Sequence, residues 1–402
     1  DLGIRPHIGV RAKLAAKGAG RWVESGGDRS KFGLTADELI ETVERLRQEN
    51  MLDCLELMHF HVGSQITNIR AIRDAVKEAT RFYVGLVEMG AGLKYLGVDY
   101  DGSQTNFQSS MNYTNLEYAR DVVATVGEAC DEKGIAHPDI VTETGRAMVA
   151  HHSVLIFNVL GVNQVLPKAA PEAPTDDDHK VVHELFEAYQ SISRKNVIEA
   201  YHDAVSAKEE ALTLFSLGYV DLKTRGRCER LFWACCEKIL RVVREMDYVP
   251  EELEGLERAM ADTYYGNFSV FQSAPDHWAV KQLFPIMPIH RLENKPSRRG
   301  VFADLTCDSD GKVDLFIDRR DVKHVLELHP LDQEPYYIGI FLVGAYQEIL
   351  GDLHNLFGDT DAVHVRLGEN DRIEIEHLVE GDSVEEVLGY VQYSKAELVE
   401  RA

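Results

Sequence analysis

The sequence predicts an α/β chain joined to a β-rich part, on three observations. Up to about residue 150, strand-like apolar runs alternate with helical stretches at intervals of roughly 40 residues, the pattern of parallel β/α units. A stretch over 167–178, P-K-A-A-P-E-A-P-T-D-D-D, has the composition of a linker and opens onto helical periodicity. From Tyr264 onward short β-rich runs return between turn residues, as in an antiparallel sheet or barrel. The 402 residues are too many for one ordinary core and suit two domains with insertions.

In chain order, strands are expected over 6–12, 54–62, 93–98 and 140–149, and helices over 36–48, 69–88 and 116–132. His61, Ser64, Asp99 and Glu143 fall at or just after strand ends, where a β/α barrel places its active site. A doubly wound sheet satisfies the same alternation. About four units are visible and eight close a barrel, so the remainder is expected before Asp1. Leu185, Ile192, Leu212, Leu231, Trp233 and Leu240 recur at helical spacing over 179–260, which reads as a helical insertion. The same spacing makes Phe232, Trp233, Cys235 and Cys236 core packing rather than a site. Strands follow over 267–272, 284–289, 301–305, 313–317, 336–343, 362–366 and 373–378, and an amphipathic helix over 383–402. The expected units are 1–165, 166–262, 263–380 and 381–402.

Lys and Arg number 43 against 67 Asp and Glu, a formal charge of -24, which repels nucleic-acid phosphates and anionic membranes and suits a small cationic ligand or simple solubility. The six cysteines form no C-x-x-C pair, zinc spacing or disulfide framework, and read as thiols of a reducing compartment. With no apolar run near the ~20 residues that span a bilayer and no signal-peptide pattern at Asp1, the expected location is the cytoplasm.

The segment over 303–311, A-D-L-T-C-D-S-D-G, sets Cys307 among Asp304, Asp308 and Asp310, a composition that suits donating a proton and gripping a cation. Alone it also reads as a solvated acidic turn. Four further blocks accompany it: 59–65 (H-F-H-V-G-S-Q), 97–102 (G-V-D-Y-D-G), 142–146 (T-E-T-G-R) and 344–348 (G-A-Y-Q-E). In that order, and with the long stretches over 267–278 and 336–360, the chain resembles the pyridoxal-phosphate decarboxylases built like alanine racemase, the biosynthetic arginine decarboxylases above all.

That resemblance implies part of an alanine-racemase-like (β/α)8 TIM barrel, a helical insertion and a C-terminal β-rich domain. It implies conversion of L-arginine to agmatine and carbon dioxide, feeding putrescine and spermidine synthesis, in a homodimer or larger assembly that shares active sites. Pyridoxal 5'-phosphate would be held by Glu143 at its ring nitrogen, by His61 on its face, and by Ser64, Gly145, Arg146 and Tyr346 at its phosphate. Cys307 would reprotonate the α-carbon from the neighbouring subunit, and Asp308 would bind the distal cation, helped by Gly97, Val98, Asp99 and Tyr100. A carboxylate matches a guanidinium through paired, charge-assisted hydrogen bonds but also accepts an ammonium. A diaminopimelate or other basic amino-acid decarboxylase of the same fold therefore stays open locally. Magnesium is implied by the resemblance alone, with no readable ligand set; His59 and His61 share a strand face without an evident third ligand.

Two expected parts are missing. The family's Schiff-base lysine belongs to an earlier strand, so it is expected upstream of Asp1; Lys13 and Lys31 match segments where lysine has another role. Relatives also carry an Asp and a triple-glycine run where Leu96 here joins Gly97, so about six residues whose backbone amides cradle phosphate are absent. The chain is expected to be an inactive piece of a decarboxylase. A non-catalytic paralogue kept as a binding partner predicts decay at Glu143, His61, Cys307 and Asp308, and all four remain.

Overall fold

The computed structural model describes residues 3–16, 30–61, 68–99, 113–165, 171–246, 248–318 and 322–401. Its first unit is β1 (Ile8–Ala12), α1 (Ala36–Gln48), β2 (Leu55–Phe60), α2 (Ile69–Glu88), β3 (Tyr95–Asp99), α3 (Asn115–Lys133) and β4 (Asp139–Glu143). The strands run parallel in the order β1-β2-β3-β4, as successive units of a β/α barrel do. Helices α1 and α3 start where Thr35 and Thr114 accept from the N–H three residues on while Glu38 and Glu117 return the bond. Val10, Ala12, Met58, Phe60, Leu96 and Val98 bury one sheet face against the helices. Alternation turns Arg11, His59 and Gly97, adjacent in register, to the other face.

After α4 (Gly145–Val149) comes β5 (Val154–Asn163), which the expected border at 165 assigned to the first unit. Instead it lies in the middle of a second sheet, antiparallel to the strands Asp262–Gly266 and Tyr337–Phe341. Its apolar run marks a strand but not which sheet it joins, and only Phe157 and Val159 in it are buried.

Helices α5 (Lys180–Ser191), α6 (Val197–Ser216) and α7 (Leu222–Val243) form the insertion, followed by short α8 (Glu251–Glu254) and α9 (Leu256–Ala259). Ala200, Ala204, Ala207 and Ala211 make one close-packing side of α6. Cys228, Cys235 and Cys236 are buried there, and desolvation pushes their thiols up to about 11, 12 and 12, so they are inert packing groups.

The second sheet is built from β6 (Asp262–Gly266), β7 (Ile286–Pro288), β8 (Arg298–Ala303), β9 (Lys312–Val313), β12 (Leu326–Leu328) and β13 (Tyr337–Phe341) together with β5. Its order is β12-β8-β6-β5-β13-β7, with β9 beside β8. Phe157 stacks on Phe268 at 4.2 Å between ring centroids and meets Phe302 edge-on, fixing the centre of its core. The second half of the strand expected over 267–272 is helix α10 (Val270–Ser273), begun by Ser269, and α11 (Pro275–Val280) follows. Strands β10 (Phe316–Ile317) and β11 (Val322–Lys323) pair apart from the main sheet. Helix α12 (Gln347–Leu350) follows β13, and β14 (Ala362–Leu367) and β15 (Ile373–Val379) form a separate hairpin. The single helix expected over 383–402 is two, α13 (Val384–Tyr390) and α14 (Lys395–Arg401), separated by Gln392 at φ 66°.

Candidate active site

The carboxyl ends of the four parallel strands carry the first group. Arg11, His59 and Gly97 lie side by side, and one alternation further Asp99 pairs with Glu143. His59 leans across β3, so a Cβ on Gly97 would come within 2.8 Å of its Nδ1; that packing requires the glycine. Burial, then the charge of Arg11 and the neighbouring His59, hold His61 down at about 4, leaving a flat, uncharged imidazole at neutral pH. Burial also lowers His59, against the opposing pull of Glu143.

The second group is a joint between the two sheets. Strand β4 ends at Glu143 and the chain turns at once into α4, so Gly145 and Arg146 are delivered beside the turn after β13. A Cβ on Gly145 would collide with the Tyr346 hydroxyl, and one on Gly344 with His152 and the Val149 carbonyl. The glycines of T-G-R and G-A-Y are therefore where one segment lies against the other. Tyr346 is held left-handed at φ 70°, a conformation that non-glycine residues keep only where surroundings enforce it. Arg146 lies over its ring at 5.1 Å and donates to Asp276 at 2.6 Å. Gln347 also donates to Asp276, at 2.8 Å, and accepts from the Asp276 N–H at 3.1 Å.

The loop after β8 is the third. Asp304 is buried and accepts from the N–H of Val270 at 2.8 Å and from the N–H and hydroxyl of Thr306 at 2.9 and 2.7 Å. It builds the loop, which corrects its reading as part of a cation grip. Cys307 is exposed, its N–H donating to Asn355 Oδ1 at 3.1 Å, and Asp308 lies 3.5 Å from His354 Nε2. The Asp310 N–H donates to Asp308 Oδ1 at 3.4 Å.

Among the expected site residues, Glu143, Gly145, Arg146 and Tyr346 converge on the joint and its strand end, while Cys307 and Asp308 stand on the separate loop. Gly97 offers only backbone. The Val98 side chain is buried against the helices, so Val98, too, has only its backbone to offer the strand-end groups. Ser64 and Tyr100 lie outside the described residues, as does the side chain of Asp99. The join of Leu96 to Gly97 was read as the place where about six residues are absent. It falls inside β3, which runs through it in unbroken register with β2 and β4. Sequence reasoning missed Arg11, Asp276, Gln347, His354 and Asn355; all but Arg11 sit within or beside the quoted motifs and long stretches, but nothing in their spacing gives them a task.

These groups fit a flat aromatic cofactor bearing a phosphate. An uncharged imidazole and a carboxylate stand at the strand ends, and the joint offers a glycine without a Cβ, a guanidinium and a phenol. Among the described residues no three His, Cys, Asp or Glu side chains are grouped to hold a metal ion.

Comparison with known proteins gives two family matches: the pyridoxal binding domain of the pyridoxal-dependent decarboxylases over 3–150, and the arginine decarboxylase helical bundle domain over 175–257. Biosynthetic arginine decarboxylases of Thermosynechococcus vestitus and of a Nostoc species are each 57% identical over the full chain, which spans 64% and 60% of their own lengths. The crystal structure of the biosynthetic arginine decarboxylase from Campylobacter jejuni matches 98% of the chain with TM-score 0.82 and 36% identity, the match covering 63% of that protein. Helicobacter pylori diaminopimelate decarboxylase, at 15% identity and TM-score 0.58 over 97% of this chain and 68% of its own, shares the fold.

Proposed function

We propose, from the premise that this chain belongs to the biosynthetic arginine decarboxylases among the pyridoxal-dependent decarboxylases, that the protein converts L-arginine to agmatine and carbon dioxide in polyamine synthesis. The observation that carries this reading is the joint at Gly145, where Tyr346 and Arg146 close on a position that no Cβ can fill.

Bound pyridoxal phosphate supplies the electron sink for charge left on the α-carbon. Glu143 holds a proton at the ring nitrogen by raising its pKa, and the uncharged imidazole of His61 covers the ring face. Arg146, fixed by Asp276, and the Tyr346 hydroxyl anchor the phosphate together with Ser64. Cys307 Sγ returns a proton to the α-carbon in the partner subunit's site, and Asp308 pairs with the guanidinium there, so the working unit is a homodimer or larger. Asp99, Tyr100 and the backbone of Gly97 line the substrate. Lys31 stacks over Phe32 at 5.1 Å, and neither it nor Lys13 is assigned the covalent role at the cofactor. Magnesium receives no step. The free thiols support a cytoplasmic location, and among the described residues no helix is long and apolar enough to cross a membrane.

The test is carbon dioxide release by the full-length protein, loaded with cofactor, from arginine, lysine, ornithine and diaminopimelate. Agmatine from arginine with the highest kcat/KM is the expected result. Release from lysine, ornithine or diaminopimelate with none from arginine would overturn the assignment. Borohydride reduction of the 402-residue chain with pyridoxal phosphate should label neither Lys13 nor Lys31 stoichiometrically; specific labelling of either contradicts this account of the chain.

A further inference from the structure

We propose that His354 is a positioning residue for Asp308: with its proton on Nε2 it donates to Asp308 Oδ2 when the substrate's distal guanidinium is seated, fixing the plane in which the carboxylate meets it. This rests on the reading of Asp308 as the substrate's partner.

The starting observation is an unsatisfied atom. His354 Nε2 is closed off from solvent and makes no hydrogen bond, yet Asp308 Oδ2 stands 3.5 Å from it. A buried polar atom without a partner is costly to keep and calls for a reason. The ring cannot simply swing out to water, because it packs on Phe271 with centroids 4.1 Å apart and planes tilted by 35°. Its backbone is tied down as well: the His354 N–H donates to the Asp352 carbonyl at 2.7 Å, and the Asp352 N–H donates to the Phe271 carbonyl at 3.1 Å.

The next two residues, Asn355 and Leu356, are both left-handed, at φ 55° and 60°. Strain of this kind persists only where surroundings impose it and gathers at functional sites. It brings Asn355 Oδ1 onto the Cys307 N–H at 3.1 Å, so two consecutive side chains stand against two consecutive residues of the loop. Among the described residues Asp308 is held on its other oxygen by the long bond from the Asp310 N–H, and its side chain is 44% exposed. A loosely held carboxylate on such a loop loses freedom when it binds a planar fork, and a donor that fixes it beforehand reduces that loss. An ammonium, being a point charge, gains less from a fixed plane. His354 should therefore help arginine more than lysine.

The experiment uses the full-length, cofactor-loaded protein. His354→Phe keeps a ring against Phe271 and removes the donor; His354→Gln returns a donor without the ring. The phenylalanine variant should raise the arginine KM about 10-fold to 100-fold, weaken inhibition by agmatine in parallel and leave cofactor occupancy and kcat within about threefold, with partial recovery in the glutamine variant. An unchanged arginine KM, or a fall in kcat and occupancy without a KM change, would overturn the proposal. A double-mutant cycle of His354→Gln with Asp308→Asn reads the same contact if the phenylalanine variant does not fold: non-additive KM losses support it, additive ones refute it. Wild-type protein that cannot decarboxylate arginine would refute the proposed function instead, so the two failures are distinguishable.

Discussion

The joint around Tyr346 and the loop around Cys307 are built in opposite ways. At the joint, every named charge has its counterpart within the chain: Arg146 and Asp276 have side chains only 12% and 13% exposed, and Gln347 completes their network. At the loop Cys307 is exposed, Asp308 is nearly half exposed, and His354 Nε2 is buried without a hydrogen bond. The first arrangement is pre-organised, as binding a cofactor's phosphate requires, and the second waits for something to complete it. One chain thus presents a finished anchor and an unfinished reactive edge.

The largest effect that would sharpen this contrast is on turnover. Cys307→Ala in the full-length protein should lower kcat by ~10² to 10⁴ while the arginine KM moves little, as loss of a general acid does. Agmatine formed at the normal steady-state rate would remove Cys307 from the chemistry. At the joint the loss should appear as stability. Asp276→Ala removes a buried partner of both Arg146 and Gln347 and should cost about 3 to 5 kcal/mol in urea unfolding. Changing both partners to apolar residues of similar size should recover most of it, and a single mutant as stable as wild type would show the pair is not needed.

A smaller effect is expected at the cradle itself. Gly145→Ala drives a methyl into the Tyr346 hydroxyl, and overpacking of about 1 to 3 kcal/mol predicts roughly a 5-fold to 150-fold loss of cofactor affinity. Fluorescence titration with pyridoxal phosphate reads this directly, and unaltered affinity would mean that Tyr346 relaxes freely. The smallest effect is a pH slope. His61 titrates at about 4 when folded against an ordinary 6.5, so in that window the unfolded state binds the extra proton. Stability therefore falls as pH drops from 6.5 toward 4. His61→Gln should flatten the decline without abolishing it, because His59 shifts in the same direction. Parallel stability curves for the two proteins would rule His61 out as the source.

The same contrast decides what could be read from the sequence. The threonine and glutamate three apart at Thr35 and Thr114 announce helix starts because capping is local, and α1 and α2 begin and end where the apolar period does. The partners of β5 are not local, so its run looked like an ending of the first unit. The burial of the Val98 side chain was not legible, because motif order does not record which face of a strand a side chain takes. Glu143, Gly145, Arg146 and Tyr346 were legible as motifs, yet Asp276, 130 residues from Arg146, was not. His354 and Asn355 carry no signature, since their tasks arise only where a left-handed bend sets them against a loop nearly fifty residues earlier.

The central claim is that the anchor and the reactive edge of one chain serve different sites in the assembly. Full-length Glu143→Gln and Cys307→Ala proteins, each nearly inactive alone, should be dissociated, mixed and reassembled, and arginine decarboxylation measured. If Cys307 acts across a two-fold interface, a mixed dimer holds one site with both residues intact, and activity should return to about a quarter of wild type. If Cys307 acts within its own chain, every site in the mixture carries one lesion, and the absence of any recovery would contradict the account.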